Sequence, residues 1–353
     1  MTDPDNRHMA STENRKPKTE NTPRILLSHG AGGREMTVLI DQVFLACYAP
    51  PNRTGDDCAV LEIGSHRLAF TTDSFVVDPL FFPGGDIGRL AVAGTVNDLL
   101  TAAARPLFLS ASFILEEGLE IATLTAIAAS MRQTAEECGV AIVTGDTKVV
   151  PRGHADKLFI TTTGVGPVLR PGVSGASARP GDQIILTGSV GDHGAAVMLA
   201  REKFLDGGSI ESDVAPLTDL VLPLLEAGCD IHAMRDPTRG GIAAALNEIA
   251  RQSGVSMEIE EALVPVKPSV AAACEALGLD VFQVANEGKM LIFVAPEDAS
   301  RALALARQSR YGREARIIGE VRAQPAGRVQ VRTVIGTARI LDPPTGELLP
   351  RIC

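Results

Sequence analysis

The sequence predicts an α+β protein built as two domains. Two observations carry this. Strand-like and helix-like runs alternate through both halves, and a Gly/Pro/Ser-rich stretch at 167–182 separates them. The length of 353 residues is more than one ordinary domain needs and suits two of moderate size. The predicted division is a disordered tail over 1–23, a first domain over 24–166, a connector over 167–182, a second domain over 183–341 and a flexible tail over 342–353.

Residues 1–23 are polar and almost without apolar side chains, which predicts disorder. Order begins at Arg24-Ile25-Leu26-Leu27. The glycine-rich segment Ser28-His29-Gly30-Ala31-Gly32-Gly33 follows and opens an apolar-periodic helix that runs to Cys47. Glycines ahead of a helix start suit a phosphate-binding nest, although such a segment is more often only a turn. It is not a Walker A loop, since no Gly-Lys-Ser/Thr follows. Gly55-Asp56-Asp57 precedes a strand-like run, and Leu68 to Ser74 is a strand that carries Asp73. Ile87 to Ala104 is an Ala-rich helix with Asn97-Asp98 well inside it. Leu107 to Leu115 is a strand, and Leu119 to Cys138 is a helix that Gly139 can end. Ala141 to Thr144 is expected to be a buried strand followed by Gly145-Asp146-Thr147-Lys148. Leu158 to Val165 closes the half.

The second half restarts with the strand Gln183 to Thr187 and a second glycine segment, Gly188 to Gly194, ahead of a helix from Ala195 to Arg201. Ser209 to Ala215 is expected to be a mobile polar loop, and Leu217 to Ala227 a helix. Met234 to Gly241 is expected to be a turn opening the helix Ile242 to Gln252. Its Thr238, Gly240 and Gly241 suit an anion at a helix N-terminus. Asn286-Glu287-Gly288-Lys289 opens the strand Met290 to Ala295. Pro296 to Tyr311 is helical, and Ile317 to Val321 and Val329 to Thr333 are strands.

Composition narrows the function. The chain is 45% hydrophobic and 22% charged, with 4% aromatic residues and no Trp, so Val, Ile, Leu and Ala must fill its cores. A formal charge of −10 argues against a general nucleic-acid binder. No apolar run is long enough for a membrane span and no signal pattern is visible, so a cytoplasmic protein is expected. Six cysteines without a C-x-x-C pair or a His cluster argue against a structural zinc site or a disulfide scaffold.

Two features carry chemistry. Asp56, Asp57, Asp73, Asp98 and Asp146 sit at element ends or on an otherwise apolar helix. Each alone reads best as a cap or turn residue. Together they suit Mg²⁺, because clustered carboxylates repel unless a cation joins them. Lys148 can supply a positive charge to a phosphate. The second feature is the terminus, Pro350-Arg351-Ile352-Cys353. A terminal cysteine can be an accident at a frayed end. Here three prolines in 342–350 favour an extended arm with one thiol at its tip.

Gly55-Asp56-Asp57, Thr71-Thr72-Asp73, Asn97-Asp98, Gly145-Asp146-Thr147 and Asp236 to Gly241, in this order, resemble the aminoimidazole-ribonucleotide synthetase (PurM-like) superfamily. Within it, His29 to Gly33, Gly191-Asp192-His193-Gly194, Asn286 to Lys289 and the terminal four residues resemble the HypE family of nickel–iron hydrogenase maturation proteins. The resemblance covers about residues 24–353. It implies a homodimer whose N-terminal domains build a shared β-barrel, and a second domain of ferredoxin-like α+β type. It implies ATP and Mg²⁺, and a carbamoyl group delivered to the terminal cysteine by a HypF-type carbamoyltransferase. The group would be dehydrated to a thiocyanate and passed to iron on a HypC–HypD complex.

On that reading Asp57, Asp73, Asp98 and Asp146 hold the metal. Asp56, Asp73, Asn97 and Thr147 assist at the nucleotide. His29, Gly30, Gly32 and Gly33, with Asp236, Thr238, Gly240 and Gly241, face the phosphates. Lys148 stabilises the transferred phosphoryl group and Glu287 is the base, with roles that can be exchanged or shared with His193. Cys353 carries the substrate. The rivals are a sibling enzyme of the selenophosphate synthetase or thiamine-monophosphate kinase type, and a nucleotide-binding scaffold without catalysis. A selenophosphate synthetase would carry a reactive Cys near the first glycine loop, where this chain has Ser28-His29.

Overall fold

The computed structural model of the chain describes residues 24–48, 55–201, 210–344 and 351–353. The expected tail over 1–23, residue 209 of the expected polar loop and residues 345–350 of the C-terminal arm lie outside the described residues.

The first half begins with the glycine segment and the helices α1 (Arg34–Leu39) and α2 (Ala46–Tyr48), joined by a π-helical turn. Then come β1 (Ala59–Ile63), β2 (His66–Phe75), the short β3 (Phe81–Phe82) and β4 (Gly85–Asp86), α3 (Ile87–Thr101), β5 (Phe108–Glu116), α4 (Ile121–Cys138), β6 (Ala141–Val150) and β7 (Leu158–Pro167). Five of these strands form one sheet in the order β1-β2-β7-β5-β6. Only β5 and β6 are parallel in it. Along β7, Leu158, Ile160 and Thr162 are buried under α3 and α4, while the alternate residues face away. In the single chain that other face is open and carries Phe70, Phe108 and Ile114 exposed.

The second half holds β8 (Gln183–Leu186), α5 (Asp192–Arg201), α6 (Thr218–Glu226), β9 (Ile231–Arg235), α7 (Gly241–Ser253), β10 (Ser256–Glu260), α8 (Pro268–Leu277), β11 (Leu291–Val294), α9 (Pro296–Ala306), β12 (Arg316–Arg322), β13 (Arg328–Arg332) and β14 (Ala338–Ile340). Its seven strands run β14-β13-β10-β12-β8-β11-β9.

Helix α3 joins the halves. The Asp86 carboxylate caps its start, accepting from Gly88 N at 2.7 Å and Arg89 N at 3.1 Å. It is apolar on almost every side, as a helix covered on every side must be. It packs on β2 and β7 and also on α6 and β9. One core therefore runs through both halves, from Phe75 and Leu90 to Leu220 and Ile292. Ile352 of the C-terminal arm is buried in it.

Three expectations are corrected. Ala141 to Thr144 is neither buried nor the end of its strand, because β6 runs on through Lys148 to Val150 as an exposed edge. Gly145 is not a breaker there; a Cβ on it would lie 2.1 Å from the Ala111 carbonyl oxygen of β5. Residues 210–215 are not a polar loop at the surface. Ile210, Val214 and Ala215 are buried, and Asp213 forms an ion pair of 3.0 Å with Lys289. Met234 and Arg235 are not turn residues but end the edge strand β9.

Candidate functional site

Four aspartates converge where the halves meet. Asp57 precedes β1, Asp73 lies on β2, Asp98 on α3, and Asp236 follows β9. Carboxylate oxygens of Asp57, Asp98 and Asp236 all lie within 4.8 Å of one another. Asp73 adds its field to those of Asp98 and Asp236. Burial, followed by the neighbouring carboxylates, pushes Asp98 and Asp236 above the usual carboxylate range. Thr71 Oγ1 donates to Asp98 at 2.8 Å. Arg235, itself buried, pairs with one oxygen of Asp57 and lies 3.5 Å from Glu248. The second Asp57 oxygen is buried without a hydrogen-bond partner. Crowded hard oxygens with one orphaned acceptor fit a divalent cation such as Mg²⁺.

Asp146 does not join this cluster in the chain. The register places Ser74, Thr161, Ser112 and Asp146 in one row across β2, β7, β5 and β6. Asp73 lies in the adjacent row and faces α3, so Asp146 points to the opposite, open face, about 14 Å across the sheet. Lys148, two residues on, shares that face and pairs with Asp146 at 2.6 Å; their side chains are 68% and 62% exposed. Thr147 is exposed on the same edge strand. Asp236 takes the place in the cluster that the sequence offered to Asp146.

Two further assignments become structural. Asp56 accepts from Ser174 Oγ and Gly175 N, both at 2.7 Å, and so ties the connector to the first half. Asn97 is buried; it donates to the Ala215 carbonyl at 3.0 Å and accepts from Leu217 N at 2.9 Å. It satisfies backbone between the halves rather than a ligand.

The glycine segments do meet. Gly32 has φ +75°, and a Cβ there would lie 2.7 Å from the Arg239 Cβ. Arg239 Nη1 donates to the Gly30 carbonyl at 2.9 Å. Gly33 and Gly240 both lie against Pro344. Asn286 knits the other side, accepting from Gly191 N at 2.7 Å and donating to the Pro237 carbonyl at 3.0 Å. Thr238 closes the turn, its carbonyl accepting from Gly241 N at 2.9 Å. His29 is half-buried and bonds only backbone of Leu26 among the described contacts.

The tip of the C-terminal arm sits in the middle of this. Cys353 is half-buried, and its thiol sits in the fields of the Glu287 carboxyl and the Arg239 guanidinium. Burial, then Asp236 and Asp73, raise Glu287 well above the usual range. Its backbone is fixed independently, with Glu287 N donating to Asp213 Oδ1 at 3.1 Å. One Glu287 oxygen is buried without a partner. The thiol is also pushed up, chiefly by burial.

His193 is not beside the thiol as a base. Its Nε2 lies 2.7 Å from the Ile352 carbonyl and its Nδ1 2.8 Å from Ser212 Oγ. Burial lowers its pKa, so the ring is neutral. Facing a carbonyl, Nε2 must carry the proton and Nδ1 must accept from Ser212. Arg235 and Arg239 are site residues to which the sequence reading assigns no role, although both lie in the segment Met234 to Gly241 that it singles out for Thr238 and the glycines; their positive charge is the available sign.

Comparison with known proteins places the chain. Residues 55–168 match the family model "AIR synthase related protein, N-terminal domain", and residues 179–332 match its C-terminal domain. The chain is 50% identical to "Carbamoyl dehydratase HypE" of Rhodobacter capsulatus over 336 residues, covering 94% of this chain and 98% of the relative. Among solved structures it resembles a HypE–HypF complex with TM-score 0.82 and 47% identity, over 87% of this chain and 99% of that one. A HypE in complex with ATP matches with TM-score 0.79 and 48% identity, over 94% and 100%. The two-domain α+β architecture, the glycine segments and a terminal cysteine seated at a carboxylate cluster therefore have a common explanation: the chain belongs to the HypE family of carbamoyl dehydratases.

Proposed function

We propose that the chain is an ATP-dependent dehydratase whose substrate is a carbamoyl group on its own Cys353. The observation that carries this reading is the seat of the arm: the thiol feels Arg239, Glu287 and Asp73 directly, and Asp73 in turn acts on the cluster of Asp57, Asp98 and Asp236. A relative of high identity is known bound to ATP, and another in complex with HypF. We take ATP as cosubstrate and a HypF-type carbamoyltransferase as the partner that loads Cys353.

An amide oxygen is a poor leaving group. The carbamoyl oxygen attacks the γ-phosphorus of ATP, the bond to the β-phosphate oxygen breaks, and ADP leaves. One N–H proton goes to the Glu287 carboxylate. The C–O bond then breaks, phosphate leaves with the second proton, and the carbon–nitrogen triple bond forms on sulfur. The oxygen lost from the carbamoyl group ends in phosphate, so no free water is released. Phosphoryl transfer is mostly positioning and charge neutralisation. Asp57, Asp98 and Asp236, with Asp73 beside them, would hold Mg²⁺, which when bound offsets phosphate charge. The backbone of Gly30 to Gly33 and of Thr238 to Gly241 would border the phosphates, and Arg239 links the two segments through Gly30 while its charge acts on the thiol. Holding the group on a seated arm makes the reaction effectively intramolecular.

Lys148 and Asp146 belong to this reading through the homodimer. The open face of the first sheet carries exposed Phe70, Phe108 and Ile114 beside them. Covered by a second copy, that face would offer Lys148 to the other copy's site. The arm must leave its seat to be loaded and to deliver its nitrile to a HypC–HypD complex. The test uses a carbon-13-labelled carbamoyl group loaded on Cys353. ATP should convert its signal to that of a thiocyanate, one ADP per nitrile. ADP formation with the carbamoyl signal unchanged would sink the proposal.

A further inference from the structure

The seat of the arm has a second, separate part, away from the thiol. Arg351 reaches back to the body of the protein. Its guanidinium pairs with Asp78 at 2.9 Å and with Asp156. Its carbonyl accepts from Arg201 Nη2 at 2.9 Å and from Asp78 N at 3.3 Å. Arg201 is in turn held by the Asp78 carbonyl at 2.8 Å, and Lys157 pairs with Asp78 at 3.0 Å. Asp78 and Asp156 come from the first half and Arg201 from α5 of the second. Arg351 also has φ +49°, a conformation a non-glycine residue adopts only where its surroundings impose it. That turn sends Ile352 into the core and its carbonyl to His193.

We propose that Arg351, clasped by Asp78 and Asp156, is the positioning residue that sets the register of the arm. Resting on the dehydratase reading above, the inference adds that the clasp governs dehydration without being needed for loading. Burial of Ile352 alone supplies affinity but no register, because an apolar contact has no direction. The charged fork of Arg351 against two carboxylates is directional. It fixes where the next two residues point, and so where the sulfur meets Glu287. The clasp is also reversible, since its charged groups remain partly exposed and open to screening by salt.

The test substitutes the body and leaves the arm's sequence intact. The full-length variants D156N and D78N/D156N are loaded by the carbamoyltransferase, then given ATP. Dehydration should slow about ten-fold in the double variant and less in D156N. Alkylation of unloaded Cys353 by iodoacetamide, read on the C-terminal peptide, should quicken in both. Raised ionic strength should slow dehydration in the wild type and have little effect in the double variant. Loading should persist throughout. D156N guards against misfolding of the double variant, because the Asp156 side chain has Arg351 as its partner among the described ion pairs. Wild-type dehydration rate, alkylation rate and salt dependence retained in both variants would overturn the proposal. Absence of ATP-dependent nitrile in the wild type would instead sink the dehydratase reading itself.

Discussion

Replacing Glu287 by Gln separates chemistry from architecture, because the two consequences have opposite signs. Gln keeps the shape of the side chain and can still meet the Cys353 group. The backbone bonds of residue 287, to Asp213 Oδ1 at 3.1 Å and from Ala215 N at 3.3 Å, do not involve the side chain and survive. What is lost is the capacity to accept a proton. General-base contributions of this kind are worth about a hundred- to ten-thousand-fold, or about 3–5 kcal/mol of barrier. Stability should move the other way. Glu287 is buried among Asp236, Asp73 and Asp213, with one oxygen unpartnered. A neutral isostere removes repulsion, so thermal unfolding should be unchanged or stabilised by about 1 kcal/mol. Single-turnover nitrile formation from loaded protein measures the first effect and calorimetry the second. The raised pKa adds a third. Because the base form of Glu287 is populated only as pH rises through its elevated value, the wild-type rate should climb with pH where the Gln variant is flat. A variant that dehydrates within a factor of a few of wild type would refute the assignment. So would a loss of rate matched by an equal loss of stability.

The remaining predictions use other parts of the site. Lys148→Ala and Glu287→Ala should each be inactive alone, yet regain a share of the wild-type rate when mixed, since a mixed dimer rebuilds one intact site; no recovery after subunit exchange contradicts action across the dimer. Asp98→Asn should raise the melting temperature of the metal-free protein by relieving the crowded cluster, and should weaken Mg²⁺-dependent ATP binding at least ten-fold by titration calorimetry. His193 is buried neutral, so its folded pKa lies below the ordinary 6.5. Its contribution is therefore intact above about pH 6.5 and lost as pH falls from there through the folded value. The stability of wild type should drop over that window, and His193→Gln should flatten the slope.

How much of this was legible in the sequence follows from locality. Most elements carried their own signals, such as the Ala-rich run that became α3 and the Gly139 that ends α4. The glycine segments and the aspartates at element ends marked the site. What was hidden depends on partners far along the chain. Asn97 reads as a ligand until Ala215 and Leu217 come to meet it. Asp56 does so until the connector folds back on it. Gly145 resembles a break unless the close approach of Ala111 is known, and with the break goes the face on which Asp146 and Lys148 point. His193 lies in a motif that suggested catalysis, yet its ring is spent on the Ile352 carbonyl. The arm itself was visible as a thiol at a free end. Its anchor was not, because Asp78, Asp156 and Arg201 have no pattern of their own.

The central claim is that ATP activates the carbamoyl oxygen of a group carried on Cys353. It is tested most directly by loading Cys353 with a carbamoyl group whose oxygen is heavy-isotope labelled, adding ATP, and recovering the phosphate by mass spectrometry. The account predicts the label in inorganic phosphate, one labelled oxygen for each nitrile formed. Label released as water, with unlabelled phosphate beside the same nitrile, would contradict it.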